Sequence, residues 1–240
     1  MRDLRDAVII DEKGKREGNA MKVLTFSYDD GVQYDERLME IFLRYGMRCT
    51  WNLNSGLMEE EKGWQSGAAW IHRMKPERMA KLYRDHEIAT HMVTHPDPTK
   101  LNNEELRREI LDDVKALETL FKRPVVGMAY PFGRYNDQVV EVVRECGIRY
   151  SRTVQSTCDF KRPSDLLRLN PTCHHNDAEL FALAEAFLKA PQEEDLLFYV
   201  WGHSYEFEAD QNWERIEEFC KLMTGRAEIN YMTNAEALLR

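Results

Sequence analysis

The sequence predicts an α/β chain folded as a closed or nearly closed (β/α) barrel, with a doubly wound open sheet as the second choice. Short apolar runs alternate with amphipathic runs in seven or so β-then-α units, an order that calls for parallel strands joined by helical crossovers. The residues of chemical interest, Asp29, His91, Pro131 and His203, each follow the end of a predicted strand, where a barrel gathers its functional groups. A length of 240 residues is ordinary for one such barrel.

The elements follow in order. Residues 1–20 read as a polar arm and residues 21–240 as a single barrel domain. The run 22–28 (KVLTFSY) is rich in β-branched and aromatic residues and reads as a strand. Leu38, Ile41, Phe42 and Tyr45 share helical spacing, which makes 34–45 a helix, with Gly46 where a left-handed terminal glycine belongs. A short strand over 48–53 comes next. Residues 54–75 have no clear period and carry Gly56, Gly63, Gly67, Trp64 and Trp70, so they read as an inserted loop over one end of the fold. Pro76 opens a helix over 76–84, at a position where its missing N–H costs nothing. The strand 87–90 leads into His91. Leu106, Ile110, Val114, Leu117 and Phe121 mark the buried stripe of a helix over 103–121, and Glu104 and Glu105 favour its N-terminus. Beyond it come a strand at 125–130, a helix at 136–146 closed by Gly147, and brief strands at 150–154 and 167–169. A helix at 179–189, a strand at 196–201 and a helix at 213–223 follow. A strand at 229–233 and a short helix at 235–239 end the chain.

Composition excludes several classes. The chain is 43% hydrophobic and 31% charged, which is globular, and its net charge of −9 argues against a nucleic-acid backbone as partner. No apolar stretch approaches the length of a membrane span, so no membrane partner is expected. The five cysteines are scattered, without a Cys-x-x-Cys pair. Together with a start that lacks an apolar core, they point to a reducing, cytoplasmic location.

The chemistry is carried by a split set. His91 and His95, spaced by four, face one way if the segment forms one helical turn, and two imidazoles so placed can share an ion. Taken alone, H-x-x-x-H is more often two histidines in a surface loop. Asp29-Asp30-Gly31 ends a buried strand with two carboxylates, a costly arrangement unless they are paired, hydrogen-bonded or metal-bound. Gly31 permits the turn that aims both at one place, although an Asp-Gly turn is the commoner meaning of such a tripeptide. His203 shares a strand face with Trp201. Its imidazole suits proton donation near neutral pH, or simply packs as a structural histidine.

In this order and with these flanks, the segments TFSYDDG (25–31), HEIATHMVTHPD (86–97), AYPFGRYN (129–136), LLRLNP (166–171) and VWGHS (200–204) resemble the five motifs of NodB-like polysaccharide deacetylases, the family-four carbohydrate esterases, in a variant with Tyr-Pro-Phe-Gly at the third motif. The resemblance runs from about Val23 to Leu239, including the closing MTNAEAL. It implies a distorted (β/α)7-like barrel and one bound divalent metal, usually zinc, with Co2+, Ni2+ or Mn2+ as alternatives. By motif position Asp30, His91 and His95 would hold the metal. Asp29 would be the general base and His203 the general acid. The backbone N–H of Phe132, after Tyr130 and Pro131, would help hold the oxyanion, and Trp201 would line the pocket.

Three positions depart from the family, one of them an extra Tyr28 between Ser27 and Asp29, where many members run directly from Thr-Phe to Asp-Asp. The hydroxyl residue often found after the first metal histidine is Met92, with Thr94 nearby to supply a hydroxyl. The arginine that orients the base in many members is replaced by Ala129; Arg168 is either its substitute or a surface residue. Trp51, Trp64, Trp70 and Trp201 offer faces for sugar rings, although core packing is the usual fate of tryptophan. His174-His175, near Asp177, read as a solvated loop in preference to a second metal site. The leading expectation is removal of N-acetyl groups from an amino sugar or saccharide. The second is hydrolysis of a small cyclic amide or ureide, and the third an inactive saccharide-binding protein. Nothing in the sequence fixes the oligomeric state.

Overall fold

The computed structural model describes residues 20–58 and 63–240. The polar arm expected over residues 1–20 lies, except for Ala20, outside them. The chain runs β1 (Lys22–Asp29), α1 (Asp35–Tyr45), β2 (Cys49–Leu53), β3 (Trp64–Ser66), β4 (Ala69–Ile71), α2 (Pro76–Leu82), β5 (Glu87–Thr90), α3 (Asn103–Phe121), β6 (Gly127–Ala129), α4 (Asp137–Glu145), β7 (Tyr150–Arg152), β8 (Cys173–His174), α5 (Leu180–Lys189), β9 (Leu196–Gly202), α6 (Ser204–Ala209), α7 (Trp213–Met223), β10 (Ile229–Tyr231) and α8 (Asn234–Leu238).

One sheet takes the order β7-β6-β5-β2-β1-β9-β8, every pairing parallel. It curls into a half-barrel with helices around it. Strand β10 pairs with Lys22 to Leu24 of β1, and β2 takes over from Phe26. At the open side, Leu169 forms a parallel bridge with Arg152, and Cys173 pairs with Val200. One segment therefore reaches from the β7 edge toward the β9 edge.

Alternation along the strands decides what faces inward. In β1, which is buried throughout, Leu24, Phe26 and Tyr28 join the large outer core that includes Leu38, Phe42 and Phe219 of the helices. Val23, Thr25, Ser27 and Asp29 point the other way. Val23 packs with Tyr150, Leu197, Tyr199 and Trp201, while the Thr25 hydroxyl donates to Asn234 Oδ1 at 2.8 Å. The barrel interior thus becomes polar toward the C-terminal rim, and Asp29 is the last inward residue of β1.

Helix α3 spans the residues its periodicity predicts. Asn102 Oδ1 accepts from the N–H groups of Glu104 and Glu105 at 3.0 Å each, and Glu105 returns the contact by accepting from Asn102 N–H at 2.9 Å. This reciprocal cap satisfies donors that a helix start otherwise leaves bare. Four local expectations change. Residues 54–75 contain the β3–β4 hairpin, whose Ala69 and Ile71 bury against Val32 and pack with Trp64 and Tyr205. The brief strand at 167–169 is instead a 3-10 turn, because Asp165 Oδ1 accepts from Leu167 N–H at 3.0 Å. Strand β8 and helix α6 are additions, each too short to leave a period in the sequence. All five cysteines are free, and among the described residues no helix is long and apolar enough to cross a membrane.

Candidate active site

Asp29 ends β1 with its side chain nearly sealed from solvent. Asn52 Nδ2 donates to its Oδ1 at 2.7 Å, and Arg152 Nη2 donates to both carboxylate oxygens, at 2.6 Å to Oδ1. Arg152 is itself 1% exposed. Burial alone would raise the Asp29 pKa; Arg152, with His91 and His203, reverses that and holds it at about 2. The next residue turns away sharply. Asp30 has φ 83 and Gly31 has φ 66, and a Cβ on Gly31 would lie 2.8 Å from Met79 Cε and 2.9 Å from Leu53 Cδ2. That position requires glycine on both counts.

Asp30, His91 and His95 bring one ligand-type atom each to within 4.8 Å of one another. The segment joining the histidines is not the helical turn expected from their spacing. Met92 and His95 have φ 65 and φ 54, and no helix forms over 91–95. His91 Nδ1 stands 2.7 Å from Ala129 O, and because a carbonyl can only accept, Nδ1–H donates and Nε2 keeps its lone pair. Burial pushes the His91 pKa down to about 4 and lowers that of His95. Two neutral imidazoles and a carboxylate form a donor set that fits zinc.

The loop is fastened from behind by a residue that the sequence reading passed over. Asp113 sits in the buried stripe of α3 and accepts from the Thr90 hydroxyl and from Ser55 N–H at 2.6 Å; Thr90 Oγ1 in turn accepts from Met92 N–H at 3.1 Å. An aspartate on the apolar stripe of an amphipathic helix was the available signal. The Thr94 hydroxyl points elsewhere, donating to Glu109 Oε1 at 2.9 Å.

His203 Nε2 lies 3.8 Å from Asp29 Oδ2 and 3.9 Å from Asp30 Oδ2, while His203 Nδ1 is 3.3 Å from Glu206 Oε1. Burial opposes its charged form, but Glu206, then Asp29 and Asp30, lift its pKa to about 9. Glu206 Oε2 also lies 3.0 Å from His174 Nε2 and 3.2 Å from His175 Nε2. These two histidines are therefore part of a buried network under His203, and not a solvated loop. With Glu206 they form a second cluster of ligand-type atoms. Asn176 N–H donates to His174 Nδ1 at 3.1 Å, however, so the proton of His174 is on Nε2, where an ion would need a lone pair.

The remaining predicted residues separate. Phe132 has φ 57 and is 59% exposed as a residue, its ring is 4.5 Å from that of His95, and its N–H takes no partner among the described residues. A left-handed, exposed phenylalanine is strained, and such strain collects at functional sites. Pro131 is buried beside it. Tyr130 is buried too and spends its hydroxyl on Leu167 O at 2.8 Å. The Trp201 ring lies over the Arg152 guanidinium at 4.4 Å. Arg168 sits outside, paired with Asp137 and Asp165 at 2.8 Å each. The guanidinium at the base is that of Arg152, the register partner of Ala129 one strand over. Trp51 is core, stacked on Tyr83 at 4.7 Å, whereas Trp70 is 53% exposed.

A family model described as polysaccharide deacetylase matches residues 16–151. Among solved structures the fold is similar to Streptococcus pyogenes deacetylase PplD in complex with acetate, at 22% identity over 60% of this chain and 61% of that one, with a TM-score of 0.52. It is similar also to the Xyl-CE4 domain of a multidomain xylanase from the hindgut metagenome of Trinervitermes trinervoides, at 18% identity over 90% and 89% of the two chains, with a TM-score of 0.58. A CE4 family pseudoenzyme from Bacillus anthracis shares the fold at 16% identity over 92% and 66%, with a TM-score of 0.56. The chain spans 61% of the streptococcal deacetylase's length. No curated protein matches it.

Proposed function

This chain belongs to the polysaccharide deacetylase family, and on that premise we propose that it is a metal-dependent hydrolase that removes N-acetyl groups from an amino sugar or saccharide. Because the fold is shared with a pseudoenzyme, the activity rests on the side chains. One observation carries the reading: His91 Nε2 and His203 Nε2 stand 3.9 Å and 3.8 Å from the same oxygen of Asp29, beside the Asp30–His91–His95 group.

Asp30, His91 and His95 are the residues that would hold the ion, and a zinc ion there would supply Lewis acidity toward water and an amide oxygen. Asp29 accepts the proton of the attacking water. Held at about 2, it is a weak base, so its contribution is orientation as much as basicity. Arg152 and Asn52 fix that orientation. The Phe132 N–H donates to the oxygen of the tetrahedral species, a kind of contact commonly worth ~3 kcal/mol. His203, protonated at neutral pH, gives its Nε2 proton to the leaving amine, and the charge of Glu206, 3.3 Å from Nδ1, favours the protonated ring. Phe132 beside His95 and Tyr205, whose ring is 5.1 Å from that of His203, offer aromatic faces for a sugar ring.

The test is acetate release from N-acetylglucosamine oligomers by the purified protein supplied with zinc or cobalt. Release that stops on chelation supports the proposal. Hydrolysis of a cyclic amide or ureide without acetate release would assign the same side chains to a small C–N substrate. Saccharide binding without turnover would overturn the catalytic reading.

A further inference from the structure

The segment that follows the β3–β4 hairpin is strapped across the turn carrying Asp30. Gln33 N–H donates to His72 O at 3.1 Å, Met74 N–H donates to Gly31 O at 2.9 Å, and Val32 and Arg73 form an antiparallel bridge. Arg73 points inward from this strap, its side chain 8% exposed, with the guanidinium 5.4 Å from the Trp64 ring. Its Nη1 donates to Asp30 O at 2.7 Å and to Asn54 Oδ1 at 2.9 Å, and its Nη2 is 3.3 Å from Asp30 Oδ1. Asn54 spends its own amide hydrogens on the next loop, donating to His91 O at 2.5 Å and Met92 O at 2.8 Å.

Both clamped loops are strained. Asp30 at φ 83 and Met92 at φ 65 are non-glycine residues in the left-handed region, where the surroundings must hold the backbone in place. The carbonyl of the first is held by Arg73, and that of the second by Asn54, which Arg73 holds in turn. One cation therefore ties the aspartate side of the donor group to the histidine side. It also engages Asp30 Oδ1 and leaves Oδ2, the oxygen that faces His203.

We propose that Arg73 is a positioning residue of the metal centre, fixing which oxygen of Asp30 is offered to the ion and, through Asn54, how far Asp30 stands from His91. This rests on the reading that Asp30, His91 and His95 hold the ion. The guanidinium has an opposite effect by its charge, because a cation beside the site repels a metal. Substitution separates the two effects. If positioning dominates, removing Arg73 weakens binding; if charge dominates, removal tightens it.

The measurement is the zinc dissociation constant of the metal-free protein, by competition with a chelator of known affinity, together with the visible spectrum of the cobalt form. Arg73→Met is expected to weaken zinc binding by ~10–100-fold, the range for residues that orient ligands. Arg73→Lys, which keeps the charge but not the fork, falls between. Asn54→Ala weakens binding as well, and the double variant loses less than the product of the singles because both act through one clamp. If Arg73→Met does not fold, the Lys and Asn54 variants carry the test. Unchanged or tighter binding in folded variants overturns the role of Arg73 alone. A wild-type protein that takes no zinc overturns the metal-centre reading itself.

Discussion

Replacing Arg152 by methionine keeps most of the buried volume and removes the charge paired with Asp29. The magnitude follows from the structure. Asp29 is held at about 2 against the usual 3.8, a difference that corresponds to roughly 2–3 kcal/mol of stability at neutral pH. Removing one partner of a buried pair commonly costs ~3–5 kcal/mol, because the other charge stays buried and unpaired. A loss of roughly 2–4 kcal/mol at pH 7 is therefore expected. Its pH dependence is diagnostic. A carboxyl with a depressed folded pKa stabilises the fold above its unfolded pKa, and that stabilisation is lost as pH falls toward about 2. Without Arg152, burial wins and the Asp29 pKa moves above 3.8, so the variant's deficit is largest at neutral pH and shrinks on acidification. Urea unfolding of the metal-free proteins between neutral pH and about pH 4 measures this. A deficit that does not change with pH, or none at all, would refute the assignment of Arg152 as the partner of Asp29. Loss of orientation should also lower kcat/KM by ~100-fold.

Asp29→Asn should keep zinc and lose ~10²–10⁴-fold in kcat, as expected for a proton acceptor; complete metal loss would show that the two aspartates have exchanged roles. His203, lifted to about 9, should give a basic limb near that pH in the rate profile; its stabilising effect is full below 6.5 and lost as pH rises through about 9. Glu206→Gln should move that limb to lower pH, and an unmoved limb would dissociate it from His203. Gly202→Ala should destabilise by ~1–3 kcal/mol in urea unfolding, since its Cβ would lie 2.0 Å from Nδ1 of the buried His175; a neutral effect would mean that His175 is free to move.

The long amphipathic stretches were legible because their pattern repeats. Helices α3 and α7 fall on the residues that periodicity predicts, and β1 and β9 differ from expectation only at an end. Shorter pieces were not. Strand β8 has two residues, and the β3–β4 hairpin alternates too briefly to stand out among its glycines. The His91–His95 spacing suggests a helical turn, but Met92 and His95 take positive φ and the segment is tied to Asn54 through Met92 O and to α3 through Val93 N–H, contacts that spacing alone does not record.

The order of strands and helices, and the chemical types at Asp29, Asp30, His91, His95 and His203, are properties of the sequence, since local period and strand-end position need no partner. Partnership is different. Arg168 and Arg152 are equally plain arginines in one dimension. Only the parallel register that sets Arg152 beside Ala129, and the inward face it shares with Tyr150, delivers one guanidinium to Asp29 while the other pairs at the surface. The same holds for Asp113 and Arg73, whose partners Ser55 and Asp30 lie far away in sequence, and for Glu206, which is three residues from His203 but also meets His174 and His175 of a distant segment.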